Sequence, residues 1–257
     1  MQNDRAPSCG ALLAVAALAF ASCVTPASTF LPTQGKPLDA PARASSFVAG
    51  NPAAFSGYDF GAVDARAAKV SRESVRSMKS LVEYLTSGAA NDLERVRSIF
   101  AWETQNIEYD GKAYSVLDIP QLDPEEVFIL RKGVCQHYSV LFQRLADIAG
   151  LQALTIVGEA SGYPKSILLK DTRHAWNAVK IDGAWYLLDV TWASGYLDQG
   201  NGFHYYPPSM RQQVYAENFL VDPALFVKSH YPEDEQWQLL AKPMKESEFL
   251  RIAGLRQ

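Results

Sequence analysis

The stretch from Arg173 to Trp192, RHAWNAVKIDGAWYLLDVTW, decides how the chain folds. Two apolar runs, HAWNAVKI (174–181) and AWYLLDVTW (184–192), flank Asp182-Gly183. That dipeptide is a strong signal for a two-residue hairpin turn, so the runs read as two antiparallel strands. A two-residue loop pairs Ile181 with Ala184 and sets Trp176 opposite Asp189. His174, two residues from Trp176, then shares a face with Asp189 and lies diagonal to it. Diagonal neighbours sit about 7–8 Å apart, less between Cβ atoms, which lets an imidazole reach a carboxylate. A slip of one residue would put them on opposite faces. Asp189 stands in an otherwise apolar run, and a buried carboxylate there needs a partner.

Working upstream, ALTIVGEA (153–160) reads as another strand, joined to the hairpin by a loop holding Gly162 and Pro164. Before it, Tyr138, Leu141, Phe142, Leu145 and Ile148 or Ala149 form one apolar stripe of a helix that Gly150 terminates. Three more helices are expected. The first runs through VDARAAKVSRESVRSMKSLVEYL (63–85), with Val63, Ala67, Val70, Met78, Leu81, Val82 and Leu85 as its stripe and Gly88 as its cap. A second starts at Asn91 with Glu94 in a capping box, carries Leu93, Val96, Phe100 and Trp102, and ends near NIEYDG. A short third starts at Asp123, with Pro124 at its first position and Glu126 three after the cap. Helices first and an antiparallel sheet after make an α+β domain.

The long helix opens on KGVCQHYSVLF (132–142), with Cys135 at its first turn. A thiol there has its anion favoured by the helix dipole and free backbone N–H groups, and the same groups can hold an oxyanion. Lys132 and Arg131 add positive charge. Taken locally, a buried inert thiol is the commoner outcome for a free cysteine. A nucleophile needs a base and the base an orienting group. Of the four histidines, His174 on the face of Asp189 fits that demand.

The start of the chain differs from the rest. MQNDRAPSCGALLAVAALAFASCVTP (1–26) has Arg5, an apolar run from Ala11 to Phe20, then small residues. The run is too short to span about 30 Å of hydrocarbon and fits an export signal. Phe20-Ala21-Ser22-Cys23 reads as a lipobox, with residues 1–22 removed and Cys23 lipidated; Ala19-Phe20-Ala21 also suits ordinary signal cleavage. Prolines at 26, 32, 37, 41 and 52 among Ala, Ser and Thr make 23–54 a tether, and 55–257 the folded domain. The expected setting is an exported, membrane-anchored lipoprotein. Of three cysteines, Cys9 leaves with the signal and Cys23 is lipidated or near the cut, so Cys135 alone remains in the domain.

Net charge of −4 and a pI near 5.6 leave no surplus base for phosphates, so nucleic acid is not an expected partner. There is no G-x-x-x-x-G-K-[ST], G-x-G-x-x-G or G-x-S-x-G stretch, and the histidines never fall at i, i+4. No cofactor or metal is expected on that basis. The aromatics near the C-terminus, Phe203 to Trp237, read mostly as core, with a few left to line a substrate groove.

KGVCQHYSVLFQRLADIAGL (132–151) and RHAWNAVKIDGAWYLLDVTWASG (173–195) together resemble the transglutaminase-like superfamily, within it the kyphoscoliosis peptidase branch and its bacterial relatives. IFAWETQNIEYD (99–110) and YAENFLVDPALFVKSHYPEDEQWQLL (215–240) extend the likeness to about residues 62–250. The resemblance implies a papain-like fold, a cysteine-bearing helix packed on an antiparallel sheet. It implies Cys135 as nucleophile, His174 as general base and acid, and Asp189 as the group that fixes the imidazole tautomer. The substrate implied is a peptide or amide of a peptide or protein, attacked to a thioester, with hydrolysis favoured over cross-linking. Some relatives keep the fold as scaffolds. Trp102 is a weak candidate for the second oxyanion donor, because family members can use an upstream tryptophan. His137 departs from the glycine or small residue relatives often have near the helix start; there it either crowds the site or contributes to it as a second catalytic histidine. No dense acidic loop supports a calcium-controlled enzyme.

Overall fold

A computed structural model describes residues 47–71, 74–161, 173–200 and 202–254. The segment read as an export signal, Cys23, the part of the segment read as a tether up to residue 46 and the loop with Gly162 and Pro164 lie outside the described residues. The single helix expected over 63–85 is instead two, α1 (Gly61–Ala67) and α2 (Met78–Thr86). The apolar stripe has its gap between Val70 and Met78, and Ser77 makes the second start. Ser77 is extended (φ −150°, ψ 156°); its Oγ accepts from Ser80 N while Ser80 Oγ accepts from Ser77 N. Such reciprocal capping outweighs helix continuity across a serine-rich stretch.

α3 (Asp92–Asn106) starts at Asn91, whose side chain accepts from Glu94 N at 2.9 Å. β1 (Glu108–Tyr109) and a short α4 (Gly111–Val116), capped by Asp110, follow. α4 has too few residues for a periodic signal and was not expected. α5 (Pro124–Leu130) has the Asp123–Glu126 capping box the sequence predicts. β2 (Lys132–Gly133) pairs in parallel with β1 and delivers the chain to α6 (Cys135–Ile148), which ends at Gly150 with φ +74°.

Next come β3 (Gln152–Ala160), β4 (Arg173–Ile181), β5 (Ala184–Leu188), α7 (Val190–Ser194), β6 (Gly195–Leu197) and β7 (Phe203–Tyr205). α8 (Pro208–Asn218), α9 (Pro223–Phe226), β8 (His230–Pro232) and α10 (Glu246–Ala253) complete the chain. The main sheet runs β5-β4-β3-β8, antiparallel at every pair. Asp182 and Gly183 have φ +51° and +82°, the two left-handed positions of a type I′ turn. Ile181 pairs with Ala184 as expected, but the ladder ends at Asn177–Leu188. AWYLLDVTW is therefore not all strand: Asp189 leaves the sheet and caps α7, its side chain accepting from Trp192 N.

One face of the sheet carries the main core. Leu141, Phe142 and Leu145 of α6 pack there with Phe100 and Trp102 of α3 and Val179, Ile181 and Leu188 of the hairpin. Each such side chain contributes about 1.5–3 kcal/mol. Asn177, fully buried, donates to Ser139 O at 2.9 Å and Leu154 O at 3.2 Å, which locks α6 to the sheet. The opposite face holds a smaller cluster of Ile156, Trp176, Ala178, Leu187, Phe226 and Leu239. Residues 47–50, inside the segment read as tether, lie along β5: Gly50 N donates to Trp185 O and Trp185 N to Val48 O, each at 2.8 Å. Among the described residues no helix is long and apolar enough to cross a membrane.

Candidate active site

Cys135 is the first residue of α6 and is 8% exposed. The glycine two positions before it is required by space: a Cβ on Gly133 would lie 2.5 Å from His137 Cβ. His137 in turn closes the start of the helix. Its Nδ1 accepts from Val134 N at 3.0 Å and its Nε2 donates to Pro120 O at 3.1 Å. Burial lowers its pKa, in keeping with a neutral ring held in that tautomer. Both ring nitrogens are thus occupied by backbone, and His137 is a cap and loop tie. Tyr138 anchors the same turn by donating its hydroxyl to Ile107 O at the end of α3.

The hairpin brings the other two residues together. His174, near the start of β4, has Nε2 2.7 Å from Asp189 Oδ2. With Nε2 on the carboxylate, Nδ1 is the ring nitrogen left over, and Cys135 is near enough to raise the pKa of the imidazole. His174 is 8% exposed and Asp189 fully buried. Trp192 of α7 stacks on His174 at 5.3 Å between ring centroids. His174 and Asp189 are therefore in contact, as the turn type implies, with Cys135 near the imidazole, although Asp189 stands at a helix cap and not in a strand.

A further residue, not evident from the sequence, joins this group. His230, first residue of β8 and 2% exposed, has Nε2 3.1 Å from the same Oδ2. It reaches Asp189 because β8 pairs with β3, Ala160 opposite His230, in a contact 70 residues long in sequence. The one available signal was Asp189 itself: a core carboxylate has about four lone-pair sites, and one histidine fills only part of them. Nothing in the sequence said which distant donor fills the rest.

Burial works to lower the pKa of His174, but the Asp189 charge and hydrogen bond, together with Cys135, more than reverse this and push it up to about 10. Burial works to raise that of Asp189, and the charge and hydrogen bond of His174, with His230, hold it well below the usual carboxylate range. His230 is lowered, mainly by burial, with the bond to Asp189 opposing. The resulting assignment is an imidazolium at 174, a carboxylate at 189 and a neutral imidazole at 230. The ligand atoms of His174, Asp189 and His230 lie within 4.8 Å of one another; a metal there would require both imidazoles to give up the protons they share with Oδ2.

As the first two residues of α6, Cys135 and Gln136 have N–H groups with no intrahelical acceptor, beside the sulfur. Trp102 is fully buried in α3, under the Arg131 guanidinium and against Phe128, with Nε1 unpartnered. Its neighbour Glu103 is also fully buried with neither carboxylate oxygen hydrogen-bonded, and burial, opposed by Arg131, raises its pKa well above the ordinary range. The arrangement as a whole suits attack by sulfur on a carbonyl carbon, with proton transfer through His174.

Residues 79–190 match the model of the transglutaminase-like superfamily, a span that contains Cys135, His174 and Asp189 and excludes His230. The chain is 36% identical over 194 residues to kyphoscoliosis peptidase of Mus musculus, covering 74% of this chain and 28% of that protein. It is 30% identical over 231 residues to hillarin of Drosophila melanogaster, covering 86% of this chain and 28% of that protein. The match thus spans little more than a quarter of the length of these relatives. Among solved structures, the periplasmic domain of TgpA from Pseudomonas aeruginosa is similar at 17% identity and a TM-score of 0.36, over 53% of this chain and 49% of that one.

Proposed function

Taking residues 79–190 as a transglutaminase-like domain, we propose that the protein is a cysteine acyl-transferring enzyme that opens peptide or amide bonds, with water as the favoured acceptor. The observation that supports this reading is the hydrogen bond of His174 to the buried Asp189 carboxylate, with Cys135 at the start of α6 near enough to bear on the imidazole. In the proposed working form, His174 holds the proton taken from sulfur, which leaves a thiolate beside an imidazolium. Sγ attacks the carbonyl carbon and forms a C–S bond while the carbonyl electrons move to oxygen. The N–H groups at the start of α6 receive that oxyanion, with the Trp102 indole as a candidate second donor. His174 then gives its proton to the departing nitrogen, the C–N bond breaks, and a thioester remains. The neutral imidazole draws a proton from water, or from an amine, as it attacks the thioester and releases the sulfur.

The test is a mass measurement of acyl-enzyme and products, using a glutamine-containing peptide library with and without a dansylated amine. A thioester on Cys135 and hydrolysed products support the reading. Amine-tagged peptides in place of hydrolysed ones would make it a cross-linking transglutaminase. No adduct with any member would favour a protein that keeps the fold as a scaffold. We propose also that the chain is exported and tethered through Cys23. Mass spectrometry of the membrane fraction would show a lipidated Cys23 as the first residue; an unlipidated start at Ser22 would assign ordinary signal cleavage.

A further inference from the structure

We propose that His230 is a positioning residue for this site: it holds the Asp189 carboxylate turned so that Oδ2 faces His174. The inference rests on reading Cys135, His174 and Asp189 as the reacting set. Asp189 is the first residue past the β5 ladder, at the point where the chain turns into α7. Its Oδ1 is fixed by Trp192 N at 3.0 Å. Its Oδ2 receives two imidazoles, His174 Nε2 at 2.7 Å and His230 Nε2 at 3.1 Å. An ionised carboxylate only accepts, so Nε2 of His230 carries a hydrogen, and Nδ1 is left as an acceptor 2.9 Å from the Ser229 hydroxyl, which also lies within donating distance of Phe226 O at 3.2 Å.

The ring of His230 is fixed from every side. It stacks on Phe226 at 3.9 Å and 9°, lies 4.3 Å from the Trp192 ring and 5.1 Å from that of Trp176, edge-on. Gly158 lets its strand approach: a Cβ there would lie 2.1 Å from Tyr231 O and 2.7 Å from Pro232 Cα. The chemistry of the donor matters as much as its place. A lysine or arginine at this point would cancel the carboxylate charge, and His174 would lose its counter-charge. A neutral imidazole orients the carboxylate and leaves that charge for His174. The burial that keeps His230 neutral serves the same end.

Two variants of the full chain test the proposal. His230→Phe keeps the stacked ring and removes the N–H; His230→Gln keeps an N–H donor and removes the imidazole. Two readouts are taken: the His174 Nε2–H resonance by nitrogen-edited NMR, and the rate of Cys135 alkylation by iodoacetamide at pH 6. We expect His230→Phe to displace the resonance and slow alkylation about tenfold or more, and His230→Gln to restore most of both. A phenylalanine variant that matches the wild type in both readouts overturns the proposal. So does a glutamine variant no better than phenylalanine, which would leave His230 a packing residue only. If wild-type Cys135 reacts no faster than a free thiol, the reading of the reacting set falls, and the resonance still decides the role of His230. If His230→Phe does not fold, Ser229→Ala replaces it, removing the hydroxyl that holds Nδ1. A milder displacement in the same direction upholds the role, and an unmoved resonance sinks it.

Discussion

Replacing Asp189 with asparagine changes one atom at the point where three donors converge. The carboxylate accepts from Trp192 N on Oδ1 and from His174 and His230 on Oδ2. Asparagine has one acceptor oxygen and one amide NH2. With its oxygen at the Oδ1 place, the NH2 faces two imidazole N–H groups; turned over, it faces the Trp192 N–H. Either way at least one buried N–H loses its acceptor, at about 1–3 kcal/mol. The charge matters more: removing one partner of a buried ion pair costs about 3–5 kcal/mol. That second cost depends on pH. The His174 pKa is raised from 6.5 to about 10, so its stabilisation is complete below pH 6.5 and is lost as pH rises toward 10. Asp189 is depressed from 3.8, so its share is present above that value and lost as pH falls below it. We therefore expect Asp189→Asn to cost about 3–5 kcal/mol near pH 6, shrinking to about 1–3 kcal/mol near pH 10. Urea unfolding followed by tryptophan fluorescence at both pH values measures this. A cost below about 1 kcal/mol at pH 6, or equal costs at pH 6 and 10, would refute the assignment of a buried ion pair.

Three other substitutions probe the surroundings. Glu103 is buried with a raised pKa, so the folded state favours its protonated form and loses stability as pH rises above 4.5; Glu103→Gln should melt above the wild type at pH 8, the gap closing by pH 4. Gly158→Ala drives a Cβ into Tyr231 O and Pro232 Cα, and should cost about 1–3 kcal/mol and slow Cys135 alkylation through His230, whereas full reactivity would deny the link. His137→Ala removes the acceptor from Val134 N and should lower stability by about 1–2 kcal/mol; it should leave the dependence of Cys135 reactivity on His174 intact, and loss of that dependence would restore His137 to the reacting groups.

What could be read from the sequence follows from how local the controlling physics is. Asp182-Gly183 fixes a type I′ turn, the turn fixes the register, and the register puts His174 within reach of Asp189. Every step lies within twenty residues. The caps at Asn91 and Asp123 were legible for the same reason. The apolar spacing over 63–85 runs on past its gap, but Ser77 and Ser80 cap each other inside it and divide the segment into two helices. YLLDVTW looks like a continuous strand, yet the Asp189 carboxylate accepts from Trp192 N and turns the chain. His230 was beyond reach: its contact with Asp189 depends on β8 joining the far edge of the sheet, which no local pattern encodes. His137, unexplained in the sequence, is accounted for by Gly133 and Pro120.

The central claim is that His174, held by Asp189, activates Cys135, and the rate of Cys135 alkylation by iodoacetamide against pH, in the wild type and in His174→Ala, tests it most directly. A free thiol is only roughly 0.3% thiolate at pH 6, so an imidazolium partner has room to raise the rate by about a hundredfold. We expect the wild type to react rapidly at pH 6 and His174→Ala to fall to the rate of a free thiol. Slow alkylation in both proteins, indifferent to the histidine, would contradict it.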